Sequence, residues 1–235
     1  KSNINGTFNL LEATRFLQKK KKIRYLQVST DEVYGSLEIN RSKFSEKTCY
    51  NPKSPYSASK AAADHLVRSY GNTYELDYII TNCSNNFGPF QNPEKLLPKV
   101  ILSCIKRKSI PVYGNGKNIR EWIYVENHCD GIKLTLEKGK TQNTYLIGSN
   151  YELSNIEIIN KICDIFSKKN NFNYRKLITF VKDRPGHDLR YSLNSKKISK
   201  ELNFKNNINY EKGIKNTIDF YEKNHKKLRN IFKNI

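Results

Sequence analysis

Two short apolar runs on either side of one long helical stretch restrict the fold of this chain more than any other feature. Residues 23–28 (Ile-Arg-Tyr-Leu-Gln-Val) and 78–83 (Tyr-Ile-Ile-Thr-Asn-Cys) read as buried strands of a parallel sheet. Residues 56–75 between them carry helical spacing, and Ser54 stands where a helix cap belongs. Parallel neighbours need a crossover connection, so these segments form a βαβ unit and the fold class is α/β. An amphipathic helix at 3–18 precedes the first strand, with Ile4, Phe8, Leu11 and Phe16 near helical spacing.

After Gly88-Pro89 the texture changes. Pro93, Pro98 and Pro111 punctuate a predicted helix at 95–107 and a strand at 110–113. A Gly-Asn-Gly turn covers 114–120, followed by helix 127–138, strand 143–147 and helix 154–168. The pattern then predicts a loop at 169–176, a strand at 177–181, a rigid loop at 183–188 and closing helices at 195–202 and 210–225. The expected architecture is a Rossmann-like doubly wound parallel sheet over residues 1–89, with a smaller α/β lobe over 90–235. Some segments of the second part return to the first.

Composition removes several function classes. A chain of 235 residues, 37% hydrophobic, can bury a sizeable core. No run approaches the ~18 apolar residues of a membrane helix, and no secretory signal pattern opens the chain. The net charge of +20 invites a nucleic-acid reading. Yet Lys outnumbers Arg 32 to 10, and Asn (29) and Ile (24) are inflated beside it. That is the signature of A+T-rich coding, not of a base-reading surface. Five widely spaced cysteines with no CxxC fit neither a disulfide scaffold nor a zinc site, and a cytoplasmic compartment follows most simply. The chain begins at Lys and contains no Met, so it reads as a fragment lacking its N-terminus.

The chemistry centres on Tyr56 and Lys60, which share one face of a helix. A lysine ammonium one turn away is expected to lower the phenol's pKa and make it a base. Upstream, the first strand ends in Ser29-Thr30-Asp31-Glu32. Adjacent acids at a strand end are usually solvated. Eliminating water, however, needs one carboxyl to protonate the leaving hydroxyl and another to remove a carbon-bound proton.

Seven motifs then occur in order: Ser-Thr-Asp-Glu-Val-Tyr-Gly, Ser-Pro-Tyr-Ser-Ala-Ser-Lys-Ala, Thr-Asn-Cys-Ser-Asn-Asn-Phe-Gly-Pro, Pro-Glu-Lys-Leu-Leu-Pro, Pro-Val-Tyr-Gly-Asn-Gly, Ile-Arg-Glu-Trp-Ile-Tyr-Val-Glu-Asn-His and Asp-Arg-Pro-Gly-His-Asp-Leu-Arg-Tyr. Over about residues 2–222 the chain resembles the dTDP-glucose 4,6-dehydratases, a family of the extended short-chain dehydrogenase/reductases. The resemblance implies that Tyr56 takes the sugar 4-hydroxyl proton, with Lys60 lowering its pKa and Thr30 bonding the 4-oxygen. It implies Glu32 as the base at C5 and Asp31 as the acid at the 6-hydroxyl. It also implies a bound NAD held by Ser29, Tyr56, Lys60 and Asn86. The nucleotide sugar would meet Asn85, Glu94, Lys95, Leu96, Pro98, Val100, Pro111, Val112, Tyr113, Arg120, Asn155, Asp183, Arg184 and His187. By the same resemblance the family forms homodimers through the helices matching 3–18 and 56–75, makes precursors of deoxysugars such as rhamnose, and engages neither nucleic acid nor membrane.

Other readings of the same residues stay open. An epimerase of the superfamily needs no elimination acid and base, and a UDP-sugar or GDP-sugar dehydratase would need both. An inactive remnant, or a basic nucleic-acid-binding module, is the non-enzyme alternative. No GxGxxG or GxxGxxG occurs among the 11 glycines, so the pyrophosphate turn of a dinucleotide site is missing. The chain alone is therefore expected to bind NAD weakly, to be inactive by itself, and to leave one sheet edge uncovered.

Overall fold

A computed structural model of the chain describes residues 1–183 and 186–231. A π-helical turn at Ser2–Gly6 runs into α1 (Thr7–Gln18), then β1 (Tyr25–Thr30), α2 (Pro55–Tyr74), β2 (Tyr78–Cys83) and β3 (Asn85–Phe87). There follow α3 (Leu96–Lys106), β4 (Ile110–Tyr113), β5 (Ile119–Tyr124), α4 (Val125–Lys138), β6 (Asn143–Ile147) and β7 (Glu152–Ser154). The chain closes with α5 (Asn155–Asn170), β8 (Ile178–Val181), α6 (Lys196–Leu202) and α7 (Tyr210–Ile231).

The sheet that carries the βαβ unit has the order β1-β2-β6, all parallel. Thr30 pairs with Cys83, and Cys83 with Ile147, so three strands end at one level. Helices cover both faces, as strand alternation requires. Ile80 points to a cluster with Leu11, Val67 and Tyr70 of α1 and α2. Ile79 points the other way, to Tyr145, Ile147, Ile198 and Leu202. The outer edge of β1 pairs with no strand among the described residues.

Two smaller sheets complete the molecule. β5 lies between β3 (parallel) and β7 (antiparallel), and β4 pairs with β8 in parallel. The largest core joins Leu97 and Ile101 of α3, Ile158 and Ile162 of α5 and Tyr221 of α7 to Phe87, Trp122 and Tyr124 of the β3–β5 pair. A late segment ties the parts together. Leu193 bridges to Phe44, and Arg190 to Ile119.

Three strands escape the sequence reading. β3 and β7 are each three residues long. β5 contains Arg120 and Glu121, which break the apolar run and are nevertheless buried. The first strand runs to Thr30 instead of ending at 28, and Tyr174–Leu177 is a short 3-10 helix within the expected loop. α7 extends to Ile231, beyond the expected 225. No described helix is long and apolar enough to cross a membrane.

The start of α2 is set locally. The Ser54 hydroxyl accepts the Ser57 N–H at 3.1 Å, the Ser57 hydroxyl accepts the Ser54 N–H at 3.0 Å, and Pro55 holds the first helical position. At the other end Gly71 leaves room for the Tyr78 ring, because a Cβ there would lie 2.1 Å from Cε1. Replacing Ser54 by Ala removes a cap worth about 1 kcal/mol. Thermal denaturation should register S54A as a fall in Tm of roughly 2–4 °C.

Candidate active site

The first group of predicted residues gathers at the carboxyl edge of the β1-β2-β6 sheet. Beyond Thr30 the chain turns into a 3-10 segment, Asp31–Tyr34, capped by the Thr30 hydroxyl, which accepts Glu32 N–H at 3.3 Å. The same hydroxyl donates to Asp31 Oδ1 at 3.2 Å. Asp31 is 3% exposed, and its Oδ2 has no hydrogen-bond partner among the described residues. Burial first, then the carboxylates of Glu32 and Glu121, push its pKa up to about 8, against the opposing pull of Thr30 and Arg120. At neutral pH Asp31 is therefore a protonated acid. Glu32 is half-buried beside it. Two carboxyls in unlike environments are what acid and base roles require.

Tyr56 is the second residue of α2, and half of it is open to solvent. Partial burial, then Glu32, Cys83 and Asp31, raise its pKa, which places the phenol among those groups. Lys60, expected to activate it, makes a different contact in this arrangement. The Lys60 ammonium donates instead to the Val28 carbonyl at 2.6 Å. Acids surround the phenol while the cation is engaged elsewhere, so Tyr56 is held neutral. Ser29 donates to Asp64 at 2.7 Å, and Tyr50 donates to the same carboxylate oxygen at 2.9 Å.

Arg120 approaches Asp31 from β5. Its guanidinium donates to the carbonyls of Ile119 (2.7 Å) and Asp188 (2.9 Å) and lies 4.4 Å over the Tyr191 ring. Asn85 and Asn86 begin β3, each with a buried side-chain oxygen lacking a partner among the described residues. The Asn86 amide donates to Cys83 Sγ at 3.4 Å and to the Ser84 carbonyl at 3.1 Å.

The other predicted residues form separate groups. His187 Nδ1 lies 2.7 Å from Asp183 Oδ1, and Asp183 packs against Gly114, next to Tyr113. Pro111 and Val112 precede them in β4, with Val112 in the core. Glu94 and Lys95 are exposed before α3, followed by Leu96, Pro98 and Val100; Pro98 and Val100 are buried, and Val100 belongs to the core. Asn155 opens α5 and donates its backbone N–H to the Asn118 carbonyl at 3.0 Å. Arg184 lies outside the described residues. A cavity of about 200 Å³ walled by Phe87, Trp122, Tyr151 and Tyr210 contains none of the predicted residues.

Sequence reasoning missed two buried acids. Asp64 sits one turn beyond Lys60 and two beyond Tyr56 on the same helix, a spacing that could have exposed it. Glu121 lies in a quoted motif, but its partners are Asn150, Ser192 and Leu193, remote in sequence.

The parallel sheet, with Tyr56 and Lys60 one turn apart beside its strand ends, defines an enzyme of the extended short-chain dehydrogenase/reductase class. The family described as GDP-mannose 4,6 dehydratase matches residues 1–217. A probable dTDP-glucose 4,6-dehydratase of Sinorhizobium fredii is 46% identical over 95% of this chain and 66% of its own length. The dTDP-glucose 4,6-dehydratase of Escherichia coli is 45% identical over 98% of this chain and 68% of its own. The crystal structure of dTDP-glucose 4,6-dehydratase from Bacillus anthracis in complex with NAD superposes with a TM-score of 0.87, at 41% identity, over 95% of this chain and 68% of that one. This chain belongs to the dTDP-glucose 4,6-dehydratase family, and it spans about two thirds of the length of the relatives it matches.

Asp31 carries a pH signature. Its folded pKa, about 8, lies above the unfolded 3.8, so the stability it lends is whole below about pH 4 and is lost as pH rises through 8. D31N has no such loss. Thermal melts should show the stability gap between D31N and wild type widening by roughly 1.4 kcal/mol per pH unit from about pH 4 to 8, then levelling off. A gap that does not vary with pH would contradict the protonated acid.

Proposed function

We propose that this chain carries the reaction of a dTDP-glucose 4,6-dehydratase: oxidation at C4, loss of water across C5 and C6, and hydride return to C6, giving dTDP-4-keto-6-deoxyglucose. The observation that carries the reading is the buried Asp31 carboxyl beside Glu32, at the same sheet edge as Tyr56. An epimerase has no use for that pair.

The residues present suit the nicotinamide-ribose end of NAD. Tyr56 and Lys60 offer a hydroxyl and an ammonium, and the unpartnered buried oxygens of Ser84 and Asn86 lie just past β2. Ser29 supports them through Asp64. No glycine-rich turn for the pyrophosphate occurs in the sequence. When bound, NAD supplies a hydride acceptor at C4 and a hydride donor at C6.

The protein's own groups handle the protons. Once Lys60 has left the Val28 carbonyl for the phenol and the phenol's own proton has passed to solvent, Tyr56 takes the 4-hydroxyl proton as a phenolate, and Thr30 bonds the 4-oxygen. Glu32 removes the C5 proton, which the neighbouring ketone acidifies. Asp31 gives its proton to the 6-hydroxyl, which departs as water, and Glu32 returns a proton to C5. Arg120 and Arg184 would bind the diphosphate, guanidinium forks suiting phosphate oxygens, and Lys95 would help wrap the diphosphate and nucleoside at the start of α3. Asn85, Glu94, Leu96, Pro98, Val100, Pro111, Val112, Tyr113, Asn155, Asp183 and His187 would line the rest of the nucleotide-sugar site. The exposed Ile4, Phe8, Phe16 and Leu17 of the first helical segments support a homodimer through α1 and α2. A cytoplasmic role in deoxysugar synthesis completes the reading.

Mass spectrometry tests it directly. Expressed in the longest reading frame that contains this chain and given millimolar NAD+, the protein should remove one water from dTDP-glucose and leave UDP-glucose unchanged; no loss from any nucleotide sugar would reject the assignment. E32Q should lower kcat by about 10²–10⁴-fold. Calorimetric titration of NAD+ should return an affinity weaker than micromolar, because the pyrophosphate turn is lacking.

A further inference from the structure

Glu121 of β5 has no exposed surface. Its Oε1 accepts the Asn150 N–H at 2.9 Å and its Oε2 the Leu193 N–H at 2.7 Å, with the Ser192 hydroxyl 3.0 Å from Oε2. Two backbone N–H groups, one on each oxygen, hold the carboxyl in place, and the Ser192 hydroxyl also lies 2.8 Å from Glu152 Oε1. Gly148 lies against it, and a Cβ there would fall 2.2 Å from Oε1. Gly148 follows Ile147, which shares the strand-end level of Cys83 and Thr30. The carboxylate thus stands at the sheet edge from which Asp31 projects, and both acids are buried.

We propose that Glu121 is a positioning residue whose sealed negative charge keeps the proton on Asp31. The inference rests on the reading of Asp31 as the elimination acid. Asp31 is faced by Glu32 from its own turn, the Thr30 hydroxyl from β1, Arg120 and Glu121 from β5, Cys83 from β2 and Tyr56 from α2. Glu32 cannot supply a constant field, because it gains and loses a proton during the reaction. Arg120 acts in the opposite sense, but its charge is also engaged by backbone carbonyls and the Tyr191 ring. Glu121 is held by protein donors alone in a low-dielectric interior, where a charge acts across several ångströms. Its field persists through the cycle and favours return of the proton to Asp31 after each elimination.

The test is a ¹³C-carboxyl NMR titration of this chain, with the Asp31 signal assigned by its absence in D31N. The wild-type midpoint should lie near 8, and E121Q should lower it by about half a unit or more. S192A loosens the same contact but keeps the charge, and E121D keeps the charge in a shorter side chain; both should hold the wild-type midpoint. Should E121Q not fold, E121D against E121N makes the same comparison. An unchanged midpoint in the neutral variants, or an equal fall in S192A, overturns the proposal. The titration needs neither NAD nor substrate. A shifted midpoint alongside no loss of water in the longest reading frame that contains this chain would reject the dehydratase reading alone, and an unshifted one alongside activity there would reject this inference alone.

Discussion

The parallel register of β1, β2 and β6 is the constraint on which the rest of the molecule depends. It brings Thr30, Cys83 and Ile147 to one level, although they lie far apart along the chain. Helices cover both faces of the sheet, and Asp31 at that edge is buried. Burial there, with neighbouring carboxylates, pushes the pKa of Asp31 up to about 8. The protonation state of the site is thus a property of the sheet and its cover before it is a property of any residue pair.

Acid and base are prepared differently. The acid is set by burial and fixed charges, which belong to the folded framework. The base depends on one flexible ammonium, and in the arrangement described here that ammonium rests on a backbone carbonyl. Tyr56, half open to solvent among acids, remains a neutral phenol until the cation moves. The buried carboxyl is set in the bare protein, and the phenol waits on a side-chain rearrangement.

Much of the fold was legible because its signals are local. The strand-helix-strand unit follows from apolar runs and spacing, and the α2 start from Ser54, Pro55 and Ser57, three residues that satisfy one another. Thr30, Asp31, Glu32, Tyr56 and Lys60 could be picked out because they lie at a strand end and in the first turns of a helix, both of them legible elements. β5 was hidden for the opposite reason. Its Arg120 and Glu121 look like surface residues, and what buries them is a set of carbonyls and N–H groups about 30 to 70 residues away. Lys60 shows the limit of spacing arguments. One helical turn puts it beside Tyr56, but spacing does not say which acceptor a four-carbon stem will choose.

The late segment that bridges Phe44 to Leu193 and Ile119 to Arg190 also has a bearing on how the molecule assembles. Strand β6 is inserted beside β2 from the middle of the chain, and residues 190–193 clamp β5 against the loop after β1. Contacts of such long sequence separation carry loop-closure entropy that must be met before they stabilise anything, which makes folding slow. On a ribosome, the residues around Asp31 would emerge well before residue 193 and remain solvated until it had been made. Only then would the edge lose its water, so the step that completes the architecture is also the one that turns an ordinary aspartate into an acid.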